Sequence, residues 1–107
     1  MAKSSALAFR EDRATARDEV HYRARAKGID GRAVELLVVN ISAQGLMARC
    51  DADFQPGDRL SVVLPVLGAV DAEVRWSLGG RVGCELAKAV GLADYYEVLA
   101  AMVKNKG

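Results

Sequence analysis

The chain has 107 residues, of which 51% are hydrophobic and 27% charged, and its formal net charge is +1. This length and composition are typical of one soluble globular domain and exclude disordered and fibrous proteins. The near-neutral charge argues against a protein that binds long nucleic acid over its whole surface. Lys and Arg nevertheless outnumber Asp and Glu in residues 1–32, whereas the reverse holds in residues 33–107. The N-terminal third is therefore best suited to meet a small anion.

Several classes of protein find no support in the sequence. The apolar runs are far shorter than the ~20 residues of a membrane-spanning helix, and charged residues interrupt the N-terminal apolar patch before a signal-peptide core forms. We therefore expect a cytoplasmic protein without membrane insertion. Cys50 and Cys84 form no Cys-x-x-Cys pair, and His21 is the only histidine, which predicts free, buried thiols and no metal site. Because no phosphate-binding Gly loop and no nucleophile with an evident base are found, we predict no catalytic residues, no cofactor and no enzyme activity.

The N-terminal segment is rich in charge and lacks periodicity. Residues 1–12 are predicted to form a flexible arm ahead of a single domain over residues 13–107. Arg13 and Arg17 are four residues apart. A helical turn would place them on one face, and an extended loop would let both side chains reach around one ligand. A solvated charged linker is the alternative interpretation.

Six short segments then follow with the patterns of β-strands. The first alternates between an apolar face and a basic face that carries Arg23, Arg25 and Lys27. In the fifth, alternation places Trp76 on the same apolar face as Ala72 and Val74. Short strands separated by turn signals at this spacing are typical of a barrel or a sandwich. The predicted strands cover residues 20–27, 33–39, 46–50, 60–64, 72–76 and 82–86.

The last segment has a helical period. Its apolar residues recur at helical spacing without an internal Gly or Pro, which predicts an amphipathic helix over about residues 91–104 that packs on the sheet. Lys104 lies near its C-terminal end, where it favours the helix dipole. The apolar positions are Leu92, Tyr95 or Tyr96, Leu99, and Met102 or Val103.

A polar corner interrupts the apolar run between the second and third predicted strands. Asn40 and Ser42 have short side chains that hydrogen-bond to nearby backbone or to a ligand. Gly45 permits either a positive φ or the close approach of another group to the backbone. Taken alone, these residues favour a tight hairpin corner over a binding site.

Two motifs together resemble the ligand signature of the PilZ domain family, bacterial receptors for the second messenger cyclic di-GMP. Arg-x-x-x-Arg occurs at residues 13–17, and Asn-x-Ser-x-x-Gly occurs at residues 40–45, after a predicted hairpin. Residues 74–76 and 82–86 look like the late strands of the family. The resemblance covers nearly the whole chain. It implies an all-β fold, a six-stranded antiparallel β-barrel with a C-terminal α-helix, which agrees with the number of predicted elements.

The resemblance also implies a ligand and its contacts. Arg offers a planar fork that pairs with a phosphate or with the O6 and N7 atoms of guanine, so the role of each arginine stays open. Polar groups of the corner would present further donors and acceptors from the barrel. The predicted ligand-binding residues are Arg13, Arg17, Asn40, Ser42 and Gly45, with Arg10 and Gln44 as additional candidates.

These contacts suggest how binding would become a signal. A ligand that touches both motifs would fasten the N-terminal arm to the barrel corner, and a protein partner in trans, which the sequence does not identify, would read the altered surface. One alternative is a PilZ-like adaptor that binds proteins and no nucleotide. The other is a small β-barrel for RNA or single-stranded DNA, supported by the basic face of the first strand but weakened by the scarcity of aromatic residues for stacking.

Overall fold

A computed structural model describes residues 17–104 of the chain. The predicted arm, residues 13–16 and the last three residues lie outside this range. Within residues 17–104, six strands and one helix make up the fold, which confirms the predicted elements. They are β1 (Asp18–Gly28), β2 (Ala33–Ile41), β3 (Gly45–Arg49), β4 (Arg59–Leu64), β5 (Gly68–Leu78), β6 (Arg81–Leu86) and α1 (Leu92–Lys104).

The six strands form a closed antiparallel barrel in the order β1-β2-β3-β6-β5-β4. Strands β1 and β2 pair along nearly their full length, so that Asp18 lies opposite Ile41 and Glu19 opposite Asn40. The barrel closes through a shorter pairing between the end of β1 and β4. Closure satisfies the backbone hydrogen bonds that a sheet edge would leave unpaired. The barrel predicted from the family resemblance is thus confirmed.

The barrel interior is filled by the inward-facing side chains of all six strands. Leu36, Val38, Leu46, Val62 and Val74 are completely buried, as the period of two in a strand requires. Burial of each such side chain contributes about 1.5–3 kcal/mol to the free energy of folding, relative to leaving it exposed. Both cysteines are free and buried, as predicted. Burial, with a smaller effect of Cys50, raises the pKa of the Cys84 thiol to about 11, which makes it a poor nucleophile at neutral pH.

Helix α1 packs against the barrel through Tyr95, Val98 and Met102. Where the sequence left two choices, Tyr95 is buried and Tyr96 exposed, and Met102 is buried and Val103 exposed. Leu92, which shares the helical spacing, is also exposed. Within the described part of the chain, the helix buries the apolar stripe that faces the barrel, whereas its other large apolar side chains are partly or largely exposed. Within residues 17–104 no helix is long and apolar enough to cross a membrane.

Strand β5 contains a β-bulge that changes the predicted orientation of one side chain. The register with β6 shifts between Val74 and Trp76, so that Val74 pairs with Cys84 and Trp76 with Gly83. The extra residue turns both Arg75 and Trp76 outward. The prediction that Trp76 shares the inner face with Ala72 and Val74 is therefore wrong. Its side chain is 42% exposed.

Candidate functional site

The predicted corner is a three-residue turn, Ser42 to Gln44, between β2 and β3. The Ser42 hydroxyl accepts hydrogen bonds from the backbone N–H groups of Gln44 and Gly45, both at 3.2 Å. The Ser42 N–H donates to the Gly45 carbonyl at 2.8 Å. Ser42 is only 3% exposed. Its side chain therefore closes the turn in the way expected for a short hydroxyl side chain at a corner.

Gly45 is required by the packing of β3 against β6. A Cβ atom at this position would collide with the carbonyl oxygen of Cys84 and approach the Cα of Glu85 to 3.4 Å. Gly45 lies directly opposite Glu85 in the register of the two strands. Of the two roles that the sequence left open for this glycine, the close approach to neighbouring backbone is the one observed.

One residue from each motif meets at the start of the barrel. The Arg17 Nη1 donates a hydrogen bond to the Asn40 Oδ1 at 2.9 Å, on the exposed surface. The contact follows from the pairing of β1 with β2, which places the residue before β1 beside the end of β2. Arg13 and Arg10 lie outside the described residues. The structure thus brings together Arg17 and Asn40, which are separated by 23 positions in the chain.

Tyr95 of α1 contacts the backbone and side chain of the two residues next to this meeting point. Its hydroxyl lies 2.6 Å from the Asp18 Oδ2 and 2.9 Å from the Ile41 carbonyl oxygen. These acceptors belong to the residues that follow Arg17 and Asn40 in the chain. Burial and then the hydrogen bond to Asp18 raise the pKa of Tyr95 well above its usual range, so the phenol remains a donor at neutral pH. The sequence predicted for Tyr95, or for Tyr96 in its place, only an apolar contact between the helix and the barrel.

A groove of about 350 Å³ runs from this meeting point across β5 and β6. Its volume is within the range of small-molecule sites, near the lower end. A larger depression of about 520 Å³ shares Glu85 with this groove and contains none of the predicted site residues. The two motifs contribute Arg17, Ser42, Gln44 and Gly45 to the lining of the groove. Asn40 is connected to the groove by its hydrogen bond with Arg17. The strands contribute Arg75, Trp76, Gly83, Cys84 and Glu85.

Trp76 is a groove residue that the sequence reasoning missed. Its indole ring lies directly over Gly83, where a Cβ atom would overlap the ring. The packing holds the ring against the backbone of β6 while leaving part of it exposed. A flat aromatic surface beside arginines is suited to stacking with a nucleobase. The available signal in the sequence was Gly83, because a glycine inside a strand marks a close approach.

Charged side chains of both signs border the groove beside Trp76. The Arg75 Nη1 lies 3.4 Å from a carboxylate oxygen of Glu85 and 3.8 Å from one of Glu73. Glu73 and Glu85 face each other across β5 and β6, and Arg75 offsets their repulsion. All three side chains are about half exposed, so these ion pairs orient the groups more than they stabilise the fold.

The sequence of the barrel and helix matches a known family. A family model of the PilZ domain matches residues 11–103. The chain belongs to the PilZ domain family. The matched residues include both motifs and every strand of the barrel, so the predicted resemblance is confirmed.

Solved structures, two of them of PilZ domains, have the same fold at low sequence identity. The PilZ domain of CeSA from a cellulose-synthesizing bacterium has a TM-score of 0.59 at 15% identity, covering 82% of this chain and 95% of that one. The PilZ domain of YcgR from Escherichia coli with c-di-GMP has a TM-score of 0.58 at 16% identity, covering 84% and 88%. The inhibitor of motility from Bacillus subtilis has a TM-score of 0.55 at 20% identity, covering 84% of this chain and 48% of that protein. No curated protein matches the chain.

Proposed function

We propose that this PilZ domain is a receptor that binds cyclic di-GMP in the groove and performs no catalysis. The observation that carries the proposal is the Arg17–Asn40 hydrogen bond, which joins the two motifs at one end of the groove. The structure of the YcgR PilZ domain with c-di-GMP supports the same ligand class for a member of this family.

The groove residues offer hydrogen-bond donors for the phosphates and an aromatic surface for a base. The Arg17 guanidinium carries five N–H donors, and the hydrogen bond to Asn40 uses one of them. Arg17 and Arg13 contact the phosphates and the acceptor atoms of guanine. The exposed face of Trp76 stacks with a base. Asn40 orients Arg17, while the turn formed by Ser42 and Gln44 presents polar groups beside it.

Binding fastens the segment that carries Arg13 to the corner of the barrel. Charge-assisted contacts to the ligand offset the loss of conformational entropy of that segment. The hydroxyl of Tyr95 connects the same point to α1, since it contacts Asp18 and Ile41 beside the two motifs. The altered surface around residues 13–17 then becomes the contact for a protein partner in trans.

Calorimetric titration of the full chain with cyclic di-GMP tests the proposal, with GMP and cyclic AMP as control ligands. We expect saturable binding of cyclic di-GMP and at least about 100-fold weaker binding of each control, because neither offers two bases and two phosphates on one ring. The adaptor alternative predicts no heat with any of the three ligands. Equal binding of GMP would contradict a site for the cyclic dinucleotide.

A further inference from the structure

A carboxylate in a groove proposed to bind an anion is the least expected feature of the site. Glu85 lines the groove together with Arg17 and Trp76. Its negative charge opposes the approach of a phosphate. We infer that Glu85 instead recognises the guanine base, by accepting hydrogen bonds from its N1–H and 2-amino groups. This inference rests on the proposed function and adds a residue that determines base specificity.

The position of Glu85 on β6 fits this role. Glu85 and Gly83 are two residues apart on the same strand, so both face outward, and the Trp76 indole covers Gly83. The carboxylate therefore stands beside the aromatic surface on which a base would stack. On the other side, the residue paired with Glu85 is Gly45. Because Gly45 has no side chain, β3 approaches the backbone of β6 closely there, and no side chain at the paired position covers Glu85.

The ion pair with Arg75 orients the Glu85 carboxylate before the base binds. The Arg75 Nη1 lies 3.4 Å from the Oε1 of Glu85, which restricts the Glu85 side chain. An oriented acceptor loses less conformational entropy when the ligand binds. Arg75 also offsets part of the repulsion that Glu85 exerts on the phosphates.

The chemistry of the base selects guanine. A carboxylate accepts two hydrogen bonds side by side, and the Watson–Crick edge of guanine presents two adjacent donors, N1–H and the 2-amino group. Adenine presents an acceptor at N1, so the same carboxylate would repel it. A ribose hydroxyl offers one donor only. Specificity thus arises from one attractive pairing and from repulsion of the competing base.

The test compares three proteins with two ligands. Wild type, Glu85→Gln and Glu73→Gln are titrated with cyclic di-GMP and with cyclic di-IMP, which keeps N1–H but lacks the 2-amino group. Glu73 is the matched control because it also contacts Arg75, at 3.8 Å, but does not line the groove. We expect wild type to prefer cyclic di-GMP about 10-fold, since a good bidentate pair carries this order of discrimination.

Glu85→Gln is expected to bind cyclic di-GMP about 10-fold more weakly and to lose the preference over cyclic di-IMP, because an amide keeps only one acceptor. Glu73→Gln is expected to stay within about twofold of wild type with both ligands. If Glu85→Gln binds cyclic di-GMP as tightly as wild type, or keeps the preference, the role of Glu85 is wrong while the receptor function stands. If wild type binds neither ligand, both the receptor function and the role of Glu85 are wrong.

Discussion

Exposed arginines occur on two faces of this barrel that differ in what surrounds them. On the outer face of β1, Arg23 and Arg25 project from a regular strand, and Arg23 pairs with Glu35 at 3.8 Å. At the groove, Arg17 is held by Asn40 at 2.9 Å and lies in the same concave site as Trp76. Both faces carry positive charge. Only the groove combines charge with concavity, an aromatic surface and oriented polar groups, which is what a specific small-molecule site requires.

The largest expected difference between the two faces is the effect of removing one arginine. Arg17→Ala should weaken cyclic di-GMP binding by at least about 100-fold, because it removes several charge-assisted hydrogen bonds of about 1.5–3 kcal/mol each. Arg23→Ala should change the affinity by less than about twofold. Calorimetry provides both affinities, and the Tm of each free protein should stay within about 2 °C of wild type. Equal losses for the two variants would remove the distinction between the faces.

Stability should reveal how tightly the groove side is packed. Gly45→Ala places a methyl group against the Cys84 carbonyl and should lower the free energy of unfolding by about 1–3 kcal/mol, the usual cost of overpacking. Gly91→Ala is the matched control because a Cβ there meets nothing within 4 Å, and it should be close to neutral. Urea denaturation measures both variants. A neutral Gly45→Ala would show that β3 and β6 separate without cost.

The next prediction concerns the hydrogen bonds by which Tyr95 of α1 holds the strand ends beside the groove. Tyr95→Phe removes the hydroxyl that contacts Asp18 and Ile41 and should cost about 1–3 kcal/mol of stability, the penalty for a buried acceptor left without its donor. It should also weaken cyclic di-GMP binding several-fold, since a shift of Asp18 would also displace Arg17, the preceding residue. Binding that is unchanged despite lost stability would separate Tyr95 from the site.

The same phenol gives a pH dependence with a defined sign. Folding raises the pKa of Tyr95 above that of an unfolded tyrosine, so its contribution is fully present below about pH 10. The contribution is lost as pH rises through the folded pKa, because the unfolded state releases the proton first. Wild type should therefore lose more stability than Tyr95→Phe between pH 9 and pH 11, as measured by urea denaturation at each pH. Parallel losses in the two proteins would contradict this assignment.

The sequence predicted the strands and the helix well because their signals are local. A period of two or an apolar run between turn residues identified the six strands, and a change of period identified α1, while the closed barrel was implied by the family resemblance. The bulge in β5 escaped this reasoning. Trp76 follows Val74 by two residues and is apolar, so it continues the alternation, whereas the register shift that turns it outward depends on pairing with β6.

The contact between Arg17 and Asn40 agrees with the order of the two motifs around a predicted hairpin, since antiparallel pairing brings the start of one strand to the end of the next. The groove residues on β5 and β6 depend on long-range pairing that no short motif records. The ligand-binding roles of all the predicted site residues stay predictions, and Arg13 and Arg10 also lie outside the described part of the chain.

The last prediction distinguishes the aromatic surface of the groove from other exposed apolar side chains. Trp76→Ala should weaken cyclic di-GMP binding about 10-fold, because stacking of one base contributes about 1–3 kcal/mol. Leu78→Ala is the matched control, since Leu78 lies on the same strand, is 78% exposed and does not line the groove. Trp76 is the only tryptophan of the chain, so a stacked base should quench the fluorescence of wild type with the same midpoint as the calorimetric titration. Quenching without a loss of affinity in Trp76→Ala would place the base beside the indole but not in stacking contact, and the recognition of guanine would then depend on Glu85 and the arginines alone.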